Sequence, residues 1–245
     1  MADLRTTAIA GSVDDRSRAV IQAVRDSGVP VDFLEFVQDR WSLLWFQGYQ
    51  HLSLVVQSLV IATIFAVVVA VLTYRSPLWS GIAEASAAVG LTIPSFALFG
   101  LLIAFITSGV VLSVVALAFY GSLPIVRNAV VGLRGVDQTL IESARGMGMN
   151  RFRILTRLQL PMAWPVILTG VRISAQMLMG IAAIAAYASG PGLGSFIFSG
   201  LSRIGGANAL SSAWVGVLGV VLLAIVLDLV LNAVGRLTTS RGIRA

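Results

Sequence analysis

The chain has 245 residues, of which 57% are apolar and only 11% are charged, whereas an average soluble domain has about 25% charged residues. Its mean hydropathy of +0.91 predicts that most of it lies in lipid. The absence of cysteine excludes disulfides and thiolate chemistry. All 17 basic residues are arginines, and most of them lie beside apolar segments, so the orientation of membrane spans explains the net charge of +6 better than nucleic-acid binding does.

The N-terminal region is polar and carries both signs of charge. Five arginines against seven acids give residues 1–40 a net charge of −2, and we predict a flexible segment as far as about Gly28. Met1–Gly11 has no apolar core ahead of a cleavage site, so the first span is expected to direct the chain to the membrane. In Phe33–Tyr49, apolar side chains recur at three- and four-residue steps, which predicts an amphipathic interfacial helix at the end of an extension over residues 1–50.

Five apolar segments are long enough to cross a bilayer, for which a helix needs about 20 residues. They are predicted at Leu52–Tyr74, Leu78–Ile106, Val110–Leu133, Met162–Tyr187 and Ser212–Leu237. The second is long for one span and contains Pro94, so we expect a kink or tilt there, with two short spans as the alternative. The predicted fold is all-α, a polytopic integral membrane protein with a transmembrane domain over residues 51–240 and a tail over residues 241–245.

The distribution of arginines predicts the orientation of these spans. Arg134–Arg157 holds five arginines and two acids, whereas Ala188–Ser211 holds only Arg203. Because arginine-rich loops stay in the cytoplasm, we place Arg134–Arg157 and the C-terminus there, and five spans then put the N-terminus outside. Two spans in place of the second would move the N-terminus inside.

A polar segment interrupts the spans after the third of them. Asp137–Gly146 is predicted to form a short helix, and Gly148 a turn that a side chain would hinder. Asn150 is expected to cap a second short helix that runs through Leu158. Pro161 is expected to stop that helix and to begin the next span. The result would be a helix–turn–helix along the membrane face.

The small residues of this segment have two interpretations. Ser143, Ala144 and Gly146 would let another surface approach closely, which favours a docking surface for a cytoplasmic partner. The alternative is an ordinary basic loop that lipid phosphates hold. Charge alone does not separate the two.

The same segment contains a spaced pattern of short motifs. It consists of Glu142-Ser143-Ala144, then Gly148, then Leu160-Pro161. This pattern resembles the signature loop of permease subunits in binding-protein-dependent ABC importers, in which alanine usually stands at the position of Ser143. The resemblance implies that the loop is a coupling helix seated in a groove of a separate ATPase.

Other motifs occur along residues 50–240. They are His51-Leu52-Ser53-Leu54, Thr92-Ile93-Pro94-Ser95, Tyr120 with Leu123-Pro124-Ile125-Val126-Arg127-Asn128, Gly146-Met147-Gly148-Met149 and Gly192-Leu193-Gly194. They resemble the osmoprotectant branch of that family, which imports glycine betaine, choline, carnitine and related quaternary amines. Ser189-Gly190-Pro191-Gly192 departs from the alanine–glycine–glycine stretch usual in the branch, in a loop expected to face the binding protein.

The resemblance implies a transporter with several partners. This chain would form a dimer with itself or with a similar subunit, with two ABC ATPase subunits below and an extracytoplasmic substrate-binding protein above, in a bacterial inner membrane. Without lysine it has no Gly-x-x-x-x-Gly-Lys-Ser/Thr loop, so the partner would bind ATP and this chain would need no cofactor. The implied cargo is a compatible solute such as glycine betaine or choline. An importer of another small solute, such as an amino acid, is the alternative.

Four charged residues lie inside predicted spans or at their edges. They are Glu84, Arg127, Arg172 and Asp228. Charges in a membrane are costly and often functional, so one hypothesis is a cytoplasmic gate whose ion pairs re-form between states. The alternative is long side chains that reach the interface, or a structural ion-pair cluster near the cytoplasmic end.

Two tyrosines are candidates for weak cation–π contacts with a quaternary ammonium along the path, Tyr120 and Tyr187. Packing is the alternative for any single aromatic residue, and it fits Phe96, Phe99 and Phe105 best. The single histidine, His51, stands at the head of a span, where an interfacial position is expected rather than metal binding.

An intramembrane enzyme or a scaffold is the rival from another functional class. An intramembrane protease would need a serine–histidine pair or two aspartates within spans. The one histidine lies at a predicted interface, and only Asp228 lies within a span, which argues against the enzyme.

Overall fold

The computed structural model describes residues 29–206 and 208–238, and the regular secondary structure of these residues is helical. The predicted flexible segment before Gly28 and the tail over residues 241–245 lie outside the described residues. The helices are α1 (Val29–Asp39), α2 (Trp41–Thr73), α3 (Pro77–Thr92), α4 (Ser95–Ile103), α5 (Gly109–Arg134), α6 (Gln138–Gly146), α7 (Arg151–Ile154), α8 (Leu160–Ala185), α9 (Gly194–Ser202) and α10 (Ala209–Thr238).

Four helical stretches within the described residues are long and apolar enough to cross a membrane: Trp41–Thr73, Gly109–Arg134, Arg151–Ala188 and Ala209–Thr238. A fifth crossing is possible through α3 and α4, which are bent by 89° at a short break. The predicted kink at Pro94 is confirmed. Pro94 has no N–H, and its ring holds Ile93 in extended backbone with ψ of 124°, so the helix ends there.

The ends of this bent pair show that it crosses the bundle. Near the start of α3, Ser80 Oγ accepts a hydrogen bond from Arg134 Nη1 at 2.8 Å, at the C-terminal end of α5. After α4 the chain joins α5 at Gly109, its other end. Since the 26 residues of α5 span about 39 Å, α3 and α4 together form one broken span. Five crossings follow, as predicted.

The core of the bundle lies where α5 packs against α8 and α2. Close approach depends on small residues, since a Cβ at Gly170 would lie 3.1 Å from Ile125 Cα. Ser174 Oγ donates to the Gly121 carbonyl at 2.7 Å, which ties α8 to α5 across this contact. Small residues and interhelical hydrogen bonds are the features that hold helices together in lipid.

The predicted interfacial helix over Phe33–Tyr49 is divided in the structure. A break at Arg40 separates α1 from α2, and α2 continues into the first span without interruption at residue 50. Nothing in Trp41–Thr73 stops a helix, because the segment contains no proline and Gly48 is only mildly unfavourable. Phe36 in α1 is buried against residues of α9 and α10. The domain boundary at residue 50 stays a prediction.

Candidate coupling site and membrane charges

Residues 137–161, called the hairpin segment here, contain two helices fixed by side-chain caps. Asp137 Oδ1 accepts a hydrogen bond from Thr139 N–H at 2.8 Å, and Asn150 Oδ1 accepts one from Arg153 N–H at 2.8 Å. The hydrogen bond from the Thr139 backbone lowers the pKa of Asp137, so its carboxylate stays charged at the positive end of α6. Gly148 turns the chain with φ of +79°, as its residue type predicted.

Replacing Asn150 with alanine should destabilise α7 by about 1 kcal/mol, because Arg153 N–H loses its acceptor. Amide hydrogen exchange at Arg153 is then expected to quicken about fivefold by the usual conversion of free energy to population. Thr156→Ala is the control, since its hydroxyl only donates to a carbonyl of the preceding turn. Equal exchange in the two variants would contradict a capping role for Asn150.

The hairpin segment has an apolar core of its own. Ile141, Ala144 and Ile154 are buried together with Val136, the residue just before the segment. Ala144 therefore lies inside the segment, and the expectation that it offers a small surface residue is corrected. The reason is helical spacing, because Ile141 and Ala144 are three residues apart and share one face of α6. Glu142 and Ser143 lie on the exposed face.

Two large apolar side chains of the hairpin segment point away from this core. Met147 is 76% exposed and Phe152 is 73% exposed. They flank the Gly148 turn among arginines, on the side of the bundle that the charge distribution places in the cytoplasm. Exposed apolar side chains rimmed by polar residues mark protein interaction sites.

The hairpin segment continues into the membrane without a break, which corrects the expectation that Pro161 stops the second helix. Leu155–Gln159 forms one turn of π-helix, in which Leu160 N–H bonds to the Leu155 carbonyl five residues back. This wider turn accommodates the proline ring and its missing donor. One helical stretch of 38 residues therefore runs from Arg151 to Ala188.

Two of the four predicted membrane charges meet in the structure. Arg172 Nη2 on α8 donates to Asp228 Oδ1 on α10 at 3.0 Å. The same carboxylate accepts from Gln176 Nε2 at 3.2 Å and from Asn232 Nδ2 at 2.9 Å. Sequence reasoning missed these two amides, although each stands four residues from a charged partner, the spacing that brings side chains together on a helix.

The other two charges are not part of this cluster. Glu84 is half-buried on α3, and Arg127 is exposed on α5. Neither forms an ion pair with any other residue that the structure describes. The charges therefore make one interhelical pair rather than a network of four in this conformation.

The two candidate tyrosines lie in different surroundings. Tyr120 is buried, and its hydroxyl donates to the Ile93 carbonyl at 2.7 Å, which satisfies the backbone at the break in the second span. Tyr187 is 65% exposed, with its ring centroid 5.4 Å from that of Phe96 and 5.9 Å from that of Phe198. Tyr187 is therefore the one of the two whose ring remains accessible.

His51 is buried within the helix bundle, so its side chain does not face lipid or water. Its Nε2 lies 3.2 Å from the Met179 carbonyl oxygen, and Gly192 packs against its ring. Gly192 N–H donates to Gln47 Oε1 at 3.0 Å. The glycine-rich loop before α9 thus packs on α2, since only glycine lets its backbone come this close.

Comparisons with known proteins agree on one family. A family model described as the binding-protein-dependent transport system inner membrane component matches residues 58–240. The chain is 34% identical to the carnitine transport permease protein OpuCB of Listeria monocytogenes, over 85% of this chain and 94% of that protein. It is 36% identical to the osmoprotectant import permease protein OsmW of Salmonella typhimurium, over 87% of this chain and 100% of that protein.

A solved structure shares the fold. It is the inward-facing MetNI methionine ABC transporter, matched with a TM-score of 0.70 at 22% identity, over 82% of this chain and 99% of the matched chain. The chain belongs to the family of inner-membrane components of binding-protein-dependent transport systems, and it is a non-enzymatic, membrane-spanning permease subunit of an ABC importer.

Proposed function

We propose that this permease imports a quaternary-ammonium compatible solute and that residues 137–161 dock on the ATPase that drives it. The observation that carries the docking proposal is the exposed pair Met147 and Phe152 on a segment held rigid by its own core. Burial of both side chains in a groove would remove them from water. Glu142, Ser143, Gly148, Leu160 and Pro161 complete the proposed coupling loop, with Ala144 supporting it from inside.

The continuous helix from Arg151 to Ala188 supplies the proposed mechanism. It has no flexible joint between the docking surface and the membrane, so a displacement at Phe152 moves α8 with it. The Arg172–Asp228 pair lies 21 residues from the start of this helix, or about 32 Å along it, and passes the motion to α10. Nucleotide-driven closure of the ATPases would thereby switch the spans between inward- and outward-facing states.

The proposed cargo rests on the relatives. The proteins that match most of this chain at 34–36% identity are named for carnitine and osmoprotectants. The methionine transporter resembles it at only 22% identity, which supports the fold and no substrate. In this proposal the exposed ring of Tyr187 offers a weak cation–π contact to the ammonium group on its way through.

The test is ATP hydrolysis by the complex reconstituted in liposomes with its ATPase and substrate-binding protein. We expect glycine betaine to stimulate hydrolysis and the double variant Met147→Asp/Phe152→Asp to abolish the stimulation, because two carboxylates would have to be buried at the docking surface. Leu237→Asp is the control, since this residue is also highly exposed, at 86%, and lies at the cytoplasmic end of α10 outside the hairpin segment. We expect it to retain stimulation.

Two other outcomes would change the proposal in different ways. Stimulation by methionine but not by betaine, choline or carnitine would replace the cargo and keep the coupling loop. Betaine-stimulated hydrolysis that the double variant leaves intact would show that the hairpin segment is not the coupling element.

A further inference from the structure

A polar cavity of about 530 Å³ lies at the cytoplasmic end of the spans, between the hairpin segment and the turn after α2. Four arginines line it: Arg75, Arg134, Arg145 and Arg151. The lining contains no carboxylate, and none of the four arginines forms an ion pair with another residue that the structure describes. Four positive charges therefore face one another without a compensating charge in the described part of the chain.

Two of these arginines are held in place by neutral partners. Arg75 Nε donates to the Tyr74 hydroxyl at 2.8 Å, and that hydroxyl donates to Gln159 Oε1 at 2.9 Å. Arg134 Nη1 donates to Ser80 Oγ at 2.8 Å. A guanidinium has five N–H donors, so each keeps most of them available. The cavity is thus a preorganised set of donors.

The position of the cavity relative to the membrane narrows the choice of ligand. Pro77 lines it, and the next two residues, Leu78 and Trp79, are exposed apolar side chains at the start of α3. Exposed tryptophan at the end of a span marks the level of the lipid headgroups. The arginines therefore lie at the depth where the phosphates of the cytoplasmic leaflet lie.

We propose that this cavity binds a phosphate group, supplied by an anionic phospholipid of the cytoplasmic leaflet. Arginine forks match phosphate oxygens in pairs, and basic pockets between spans on the cytoplasmic side suit anionic headgroups. The four arginines come from the turn after α2, the end of α5 and both helices of the hairpin segment. A bound phosphate would hold the hairpin segment against the C-terminal end of α5, where Arg134 lies.

The cavity and the exposed docking face are separate surfaces of the hairpin segment. Arg145 and Ile154 line the cavity, whereas Met147 and Phe152 do not. The phosphate site is therefore independent of the proposed cargo and of the proposed ATPase contact, and its test uses binding rather than transport.

The experiment measures lipid retention by the complete complex in detergent, using native mass spectrometry. The probes are phosphatidylglycerol, phosphatidylcholine and inorganic pyrophosphate, each added alone. We expect phosphatidylglycerol to bind wild type in preference to phosphatidylcholine. Arg134→Gln/Arg145→Gln should weaken this binding about 10-fold or more, since two charge-assisted contacts to phosphate are lost. Arg157→Gln removes one charge of the same segment outside the cavity, and we expect less than a twofold change.

The remaining outcomes separate the sources of phosphate and the rival ligand. Retention of pyrophosphate but not of phosphatidylglycerol, lost in the cavity variant, would overturn the lipid source and leave a soluble phosphate. Equal phosphatidylglycerol binding in wild type and in the cavity variant would overturn the site. Retention of neither probe, with a cross-link from the Arg145→Cys variant to an acidic segment of the ATPase, would overturn the phosphate site and assign the arginines to that protein.

Discussion

Replacing Gly194 with alanine is expected to remove most of the folded permease from the membrane. A Cβ at this position would collide with the Ala183 carbonyl oxygen and would lie 2.7 Å from the carbonyl carbon. Both atoms belong to the backbone of α8, so no side chain can rotate to relieve the contact. The loop before α9 would have to lift off α8. Size-exclusion chromatography of a fluorescent fusion, extracted in mild detergent, should show loss of the monodisperse peak.

Gly180→Ala is the matched control for this substitution. Gly180 lies on the same helix, three residues before Ala183, and a Cβ there would meet no atom within 4 Å. Alanine in place of glycine within a helix stabilises it by about 0.5–1 kcal/mol, so we expect an unchanged or slightly higher melting temperature. A normal peak for Gly194→Ala would show that the close approach of α8 and the loop is not required.

Asp228→Asn is expected to destabilise the bundle and to loosen the contact between α8 and α10. Arg172 would lose its carboxylate, and breaking a fully buried ion pair costs about 3–5 kcal/mol. The side chains here are 39% and 25% exposed, so we expect about 1–3 kcal/mol after screening by solvent. Thermal unfolding in detergent measures this loss. Under the gate hypothesis, ATP hydrolysis in the absence of substrate should also rise.

Glu84→Gln makes the same chemical change at a carboxylate without an ion pair among the described residues. We expect its melting temperature to match that of wild type. The double variant Arg172→Gln/Asp228→Asn should lower the free energy of unfolding by less than the sum of the two single changes, because it leaves no isolated charge. Unaltered stability in Asp228→Asn would show that the pair contributes nothing. If ATP hydrolysis depended on substrate in Asp228→Asn and in Glu84→Gln as it does in wild type, a gating role would be excluded.

The sequence was sufficient to predict the features that depend on local chemistry. Pro94 predicted the break in the second span, because a proline removes a donor wherever it stands. Gly148 and Asn150 predicted a turn and a cap for the same kind of reason. The apolar lengths predicted five crossings, because the bilayer sets the length of a span.

Features that depend on residues distant in sequence were not predictable in this way. The π-helical turn at Leu155–Gln159 lets the helix continue past Pro161, and no residue of the local sequence indicates it. His51 stands at the polar end of an apolar run, and only its contact with Met179, 128 residues away, shows that it is buried. The arginine cavity brings together one turn and three helices, and no spacing rule predicts that they meet.

The broken second span depends on a neighbouring helix. The 89° bend falls between α3 and α4, within the span, and interrupts the backbone hydrogen bonds at Ile93 and Pro94. Hydrocarbon cannot solvate such backbone groups, so another part of the protein has to satisfy them. Tyr120 on α5 does this for the Ile93 carbonyl by donating its hydroxyl at 2.7 Å. The second span is therefore expected to become stable in the bilayer only after α5 has been inserted beside it.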